Sequence, residues 1–185
     1  IMLFSCLPMQ ALAAEGGWFY LAADWNGTLL IAPERVSYTA DQTIFEALNA
    51  SGHSFGPDEN SVTQIDGKTG NFIRSDETGS HDLTRNAAQA GIRYLCFTDR
   101  LTAQPSDAMQ SLIAAMADYR LEEPDVQLAA QAAYNAACAG YVTADDNAAL
   151  SLYTALHNAV EQYEQTLDGP KYNVTFSDRN SVWQS

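Results

Sequence analysis

Basic residues are the first scarcity in this 185-residue chain: nine lysines and arginines stand against 23 aspartates and glutamates, a formal net charge of −14. Phosphate backbones and anionic lipid surfaces are held by clusters of Lys and Arg. No such cluster occurs, which argues against nucleic acid or a lipid surface as the partner. Cysteine is scarcer still. Cys6, Cys96 and Cys138 form no CxxC motif and have no metal-ligand spacing. His53, His81 and His157 lack any HxH or HxxxH pairing, so no local zinc site is built and no metal or other cofactor is expected. Apolar runs are too short to span a bilayer, so no stable membrane insertion of the mature part is expected. Hydrophobic residues nevertheless make up 46% of the chain, enough for a packed core and too many for a disordered segment.

Residues 1–14 carry no charge and hold Met2, Leu3, Phe4, Leu7, Met9 and Leu12. They close on Ala11-Leu12-Ala13, the small-x-small spacing of a signal-peptidase site. The segment therefore reads as the remnant of a signal peptide whose basic n-region precedes Ile1, and export to the cell surface or medium is expected. A lipoprotein reading would use Leu3-Phe4-Ser5-Cys6, where Phe4 is too bulky. Removal of Cys6 leaves Cys96 and Cys138 among apolar neighbours, expected to act as small buried hydrophobes rather than as a pair.

Residues 15–100 read as β-rich with one short helix. Strands are expected over 18–23, 28–31, 35–39, 62–65, 71–74 and 92–98, with Asn26-Gly27 supplying a type I′ turn between the first two. Asp41 or Thr43 can cap a helix over 44–49 that presents Ile44, Ala47 and Leu48 on one face. Strands around a single helix give an α+β order.

Residues 103–169 are Ala-rich and almost without base: 101–170 holds ten acids and only Arg120, against twelve acids and six bases in 15–100. Three helices are expected, an all-α bundle or hairpin. Ser106 caps the first, which carries Met109, Leu112, Ile113 and Met116. The second starts at Val126 and turns Ala130, Tyr134, Ala137 and Tyr141 inward. The third opens on a capping box of Thr143 and Asp146, carries an apolar stripe from Ala149 to Leu167, and stops at Asp168-Gly169-Pro170. Residues 171–176 alternate again as a strand and are read as the start of a further β module, cut short.

The order Thr28-Leu29-Leu30-Ile31-Ala32-Pro33, Val36-Ser37-Tyr38-Thr39, Thr43-Ile44-Phe45-Glu46-Ala47-Leu48 and Ile65-Asp66-Gly67, followed by Gly70-Asn71-Phe72 and Tyr94-Leu95-Cys96-Phe97, carries a resemblance. Over residues 28–100 the chain resembles the β-grasp domains of unknown function related to the C-terminal domain of transcobalamin. Such domains recur with helical spacers in exported proteins of Gram-positive gut-type bacteria. The resemblance implies a small ubiquitin-like sheet with one helix, ligand binding, and further β modules of the same polypeptide as neighbours. It supplies no catalytic residue.

Gly52-His53-Ser54-Phe55-Gly56 matches the G-x-S-x-G nucleophile elbow and supports an alternative reading, a hydrolase acting through Ser54. That chemistry needs a strand before the serine and a helix after it, and here a helix precedes while Pro57-Asp58-Glu59-Asn60 follows. A helix-terminating loop explains the motif better. Asp66-Gly67-Lys68 and Asp145-Asp146-Asn147 offer oxygen ligands for calcium without reproducing an EF-hand loop. The strand at 18–25 is apolar on both faces, with Phe19, Leu21, Ala23 and Trp25 on one and Trp18, Tyr20 and Ala22 on the other. The helix covers one face. The second either packs on the bundle or forms an aromatic platform for a glycan or other small molecule. Candidate ligand contacts are therefore Trp18, Tyr20, Asp24, Trp25 and Asn26, with Trp18 and Tyr20 favoured because parity places Trp25 among core residues. The chain as a whole reads as a non-catalytic binding or spacer module.

Overall fold

A computed structural model describes residues 16–76, 82–99 and 104–167. Residues 1–14, expected to be a signal-peptide remnant, His81 and the strand expected at 171–176 lie outside the described residues.

Strands β1 (Gly17–Trp25) and β2 (Thr28–Tyr38) form a hairpin whose tip places Asn26 at φ 49° and Gly27 at φ 72°. Those left-handed angles are what an Asn-Gly type I′ turn requires. β2 is one continuous strand rather than the two short ones expected. Pro33 is tolerated inside it because β2 is the sheet edge, and the pairing with β1 shifts register beside it, between Leu21↔Glu34 and Ala23↔Ile31. Helix α1 (Ile44–Ala50) follows, with Thr43 and Glu46 exchanging hydrogen bonds in a capping box. A separate three-stranded sheet comes next: β3 (Phe55–Asp58), β4 (Ser61–Ile65) and β5 (Lys68–Thr69). The chain then returns to the first sheet through β6 (Ile73–Asp76), two residues beyond the expected position. A one-turn helix, α2 (Ala87–Ala90), leads into β7 (Tyr94–Thr98). The main sheet runs β2-β1-β7-β6, with β1 and β7 parallel at its centre and the outer pairs antiparallel.

The helical part contains α3 (Asp107–Tyr119), α4 (Pro124–Gly140), a 3₁₀ turn (Tyr141–Thr143) and α5 (Asp146–Leu167). Ser106 caps α3 as expected, accepting from the Met109 amide. α4 starts two residues earlier than the apolar pattern indicates, because Pro124 is well placed in a first turn. The capping box expected from Thr143 is not formed. Asp145 takes the role, its Oδ1 accepting from the Ala148 amide at 2.8 Å, while the Thr143 hydroxyl donates back to Gly140 O at 3.4 Å.

Strand alternation then decides which core each side chain joins. Phe19, Leu21 and Ala23 point to one face, with Ile31, Val36, Leu95 and Phe97, and meet Leu48 of α1 and Ile65 of the small sheet. Ala22, Tyr94 and Cys96 point to the other face and meet Leu112, Ile113, Met116, Ala130, Ala137 and Leu156 of the helices. The second face of β1 is thus packed on the bundle. Each fully buried aliphatic side chain in either core stabilises by about 1.5–3 kcal/mol. Cys96 and Cys138 both belong to the helix-side packing and are not joined by a disulfide. Arg120 ends α3 and ties it to the sheet edge, reaching Glu34 at 2.8 Å and Ala32 O at 3.2 Å. Among the described residues no helix is long and apolar enough to cross a membrane.

Candidate functional site

The geometry divides the five residues singled out in β1 and its tip. Trp18 and Tyr20 stand together on the bundle face, rings edge-on at 4.8 Å and 61°. Trp18 is 42% exposed although the sheet around it is packed. Arg35 lies opposite Tyr20 in the β1–β2 register and lays its guanidinium 4.0 Å from the Trp18 ring centroid, a contact worth about 0.5–1 kcal/mol at an exposed site. The same guanidinium donates to Asp118 Oδ1 of α3, from Nε at 2.9 Å and Nη2 at 2.8 Å. The Tyr20 hydroxyl donates to the same carboxylate, 3.1 Å from Oδ1. Burial, then the Asp118 charge, holds the Tyr20 phenol above its ordinary pKa.

Beside this group lies a cleft of about 350 Å³, lined by Tyr20, Arg93, Asp107, Gln110, Ser111 and Ala114. One wall is the start of α3, where positions 107, 110, 111 and 114 form a stripe one helix face away from the apolar residues at 109, 112, 113 and 116. The other wall is β1 with Arg93, whose carbonyl accepts from the Tyr20 amide at 2.8 Å. Residues that carry a phenol ring, a guanidinium, a carboxylate, a carboxamide and a hydroxyl therefore line one volume. Sequence reasoning placed Tyr20 there but missed the rest, since periodicity marks the apolar side of α3 and not which polar stripe borders the sheet.

The other three candidates are elsewhere. Asp24 is buried and its Oδ1 accepts from the Thr98 hydroxyl at 3.0 Å, which places it in the sheet interior. Trp25 faces the opposite core, packs over Gly70 and has the Lys68 ammonium 5.7 Å from its ring. Asn26 is exposed at the hairpin tip, its amide donating to Asp99 Oδ2 at 2.6 Å. Alternation along the strand separates Trp25 from Trp18 and Tyr20, and the strand's length carries Asn26 away from both.

Ser54 precedes strand β3 rather than a helix, so the turn is not an elbow. The neighbouring His53 has Asp66 Oδ2 2.6 Å from Nδ1 and Glu34 Oε1 3.2 Å from Nε2, leaving neither ring nitrogen turned to the serine. Asp66 also accepts from the Ser54 amide at 2.8 Å, and with Gly67 it makes the positive-φ turn between β4 and β5. The oxygen atoms considered for calcium at Asp66 and Asp145 are thus engaged in a turn and a helix cap. His157 pairs with Glu161 on its own helix at 3.2 Å and stacks on Tyr153. Among the described residues no group of three His, Cys, Asp or Glu side chains is placed to hold a metal ion.

No family model, no curated protein and no solved structure matches the chain.

Proposed function

We propose that the chain is a non-catalytic binding module of an exported bacterial surface protein, and that its ligand is a glycan or a similar polyhydroxylated small molecule held at the seam between sheet and bundle. The observation that carries this reading is the cleft of about 350 Å³ in which Tyr20 meets Arg93, Asp107, Gln110 and Ser111, beside the half-open Trp18 ring. Neighbouring hydroxyls of a sugar ring need donors and acceptors side by side; Arg93 brings donors and Asp107 acceptors, while Gln110 and Ser111, which donate to Pro105 O and Asp107 O at 2.9 Å, add acceptor oxygens. The apolar face of the ring needs an aromatic surface, for which Tyr20 lines the cleft and the partly exposed Trp18 ring stands edge-on beside it. Asp118 holds that surface still by fixing Tyr20 and Arg35 from the bundle side. Rigid placement lowers the ordering cost of binding.

A β-grasp reading of the sheet portion draws support from its order. The first and last strands lie parallel at the centre, a hairpin partner flanks the first, and α1 crosses one face after the hairpin. Export rests on residues 1–14. Further β modules joined to the end of the bundle belong to the same proposal and rest on the alternation at 171–176.

A glycan array followed by calorimetry on the best hits tests the reading. Gln110→Ala and Ser111→Ala should each weaken binding about fivefold to tenfold through lost hydrogen bonds, with little change in stability. An array without hits, or hits indifferent to both substitutions, removes the seam as a glycan site.

A further inference from the structure

A second cavity, of about 400 Å³, opens further along the same flank of α3, where that helix faces α5. Its floor is apolar, formed by Ala114, Ala115, Leu156 and Val160, and two phenol rings, Tyr119 and Tyr153, line its walls. Asp118, Glu122 and His157 supply the charged or titratable part of the lining. Two of these are already engaged. Asp118 is bound by Arg35 and Tyr20, and His157 is paired with Glu161. Among the described residues no cation pairs with Glu122. The helices have little to offer it, since Arg120 is the only lysine or arginine between 104 and 167 and is committed to Glu34.

We propose that this cavity binds an organic ammonium ion, its charged head on the Glu122 carboxylate and its apolar stem between Tyr119 and Tyr153. The shape and the charge lead to the same ligand. An apolar lining bordered by two phenol rings suits a hydrocarbon stem, and with one face of each ring already stacked, Tyr119 on Tyr134 at 4.3 Å and Tyr153 on His157 at 5.5 Å, the charged head is left to the Glu122 carboxylate. A hydrated divalent ion is a poor match, because it needs six or more oxygen ligands and only one carboxylate here is unspent. An anion would meet Glu122 and Asp118, with Glu123 and Glu164 close behind. Burial, and then the charges of Glu164, Asp118 and Glu123, raise the Glu122 carboxyl above its ordinary pKa, consistent with a carboxylate that lacks a counter-charge. The site is distinct from the seam cleft, although Ser111 and Ala114 of α3 border both.

An amide-resolved NMR titration of the whole chain with hexylammonium tests it, with hexanol and hexanoate as stem-matched controls at low salt. Shifts should gather around Tyr119, Glu122, Tyr153 and Val160. Glu122→Gln should weaken hexylammonium about tenfold or more and leave hexanol unchanged. Val160→Phe, which fills the floor without touching charge, should block hexylammonium and hexanol alike. Running Nα-acetyl-lysine methylamide in parallel separates a free amine from a lysine side chain as the source of the head group. Equal affinity for hexanol and hexylammonium would overturn the proposal. So would indifference to both substitutions, or shifts spread evenly over the acidic surface.

Discussion

The two faces of β1 are built from one run of nine residues and end up with different chemistry. On the face toward α1 and the small sheet, Phe19 and Leu21 are completely buried among aliphatic and aromatic neighbours. On the face toward the helices, only Ala22 sits deep in an apolar core, while Tyr20 and Trp18 trail outward into a set of charged and hydroxyl groups. The first face uses size and so fixes the fold. The second uses a small residue at its centre, so that helix α3 can approach, and polar residues at its margin. A margin of that kind retains a cleft, because side chains that need hydrogen-bond partners do not close over one another as aliphatic ones do. Under the proposed function, stability and recognition fall to alternate residues of the same strand.

The largest expected effect breaks the dry face. Phe19→Ala should cost about 3–5 kcal/mol, read by chemical denaturation. Leu112→Ala removes a fully buried side chain from the helix-side core and should cost about 2–4 kcal/mol. Because that core joins Tyr94 and Cys96 of β7 to the helices, its loss should appear as one cooperative transition by both far-UV and tryptophan signals. Two separated transitions would show that sheet and bundle unfold as independent bodies. Asp118→Asn weakens the tie between Arg35, Tyr20 and α3 and should cost about 1 kcal/mol, since the ion pair is part-exposed. Its larger effect should be a lowered affinity at the seam.

Alkali should loosen the helical side. Burial, with Cys138 nearby, pushes the Tyr134 phenol up to about 12, and Tyr20 and Tyr119 are raised as well. Above pH 10 the unfolded chain loses these protons while the native bundle keeps them, so stability should fall as pH rises from about 10 to about 12. Ultraviolet titration of tyrosinate should show late ionisation that coincides with loss of helix. Early ionisation of all nine tyrosines with the helices intact would contradict it. The smallest effect is expected at Glu122, whose raised carboxyl means that ionisation works against the fold once the pH passes its unfolded value. Glu122→Gln should accordingly leave stability unchanged in acid and raise Tm slightly at neutral pH.

Much of the local structure was legible because its signals are local. Asn26-Gly27 specifies its own turn, Ser106 its own cap, and the 18–25 alternation its own two faces. The cap of the first helix was open between Asp41 and Thr43, and the structure places it at Thr43, which exchanges hydrogen bonds with Glu46. Other features depend on distant partners. Strand β3 contains Gly56 and Pro57 and reads as loop; it is a strand only because β4 pairs with it. Helix α2 is a single turn, too short for a periodic pattern. At α5, Thr143, Asp145 and Asp146 compete within a few residues, and the preceding 3₁₀ turn decides for Asp145. The candidate site was half visible for the same reason. Trp18 and Tyr20 follow from parity, whereas Arg93, Asp107, Gln110 and Ser111 join them only once α3 has chosen its angle on the sheet.

The most direct measurement compares two consecutive residues, Trp18 and Phe19, in the same titration with the best-binding glycan, each substituted by Ala and each followed by calorimetric Tm and affinity. Trp18→Ala should leave Tm nearly unchanged and weaken binding at least tenfold, on the scale of about 1–3 kcal/mol for a buried aromatic contact. Phe19→Ala should lower Tm by several degrees or more and, in whatever fraction remains folded, bind with unaltered affinity. If Trp18→Ala instead destabilises the chain as Phe19→Ala does and leaves affinity untouched, the bundle-side margin of β1 is core rather than a recognition surface.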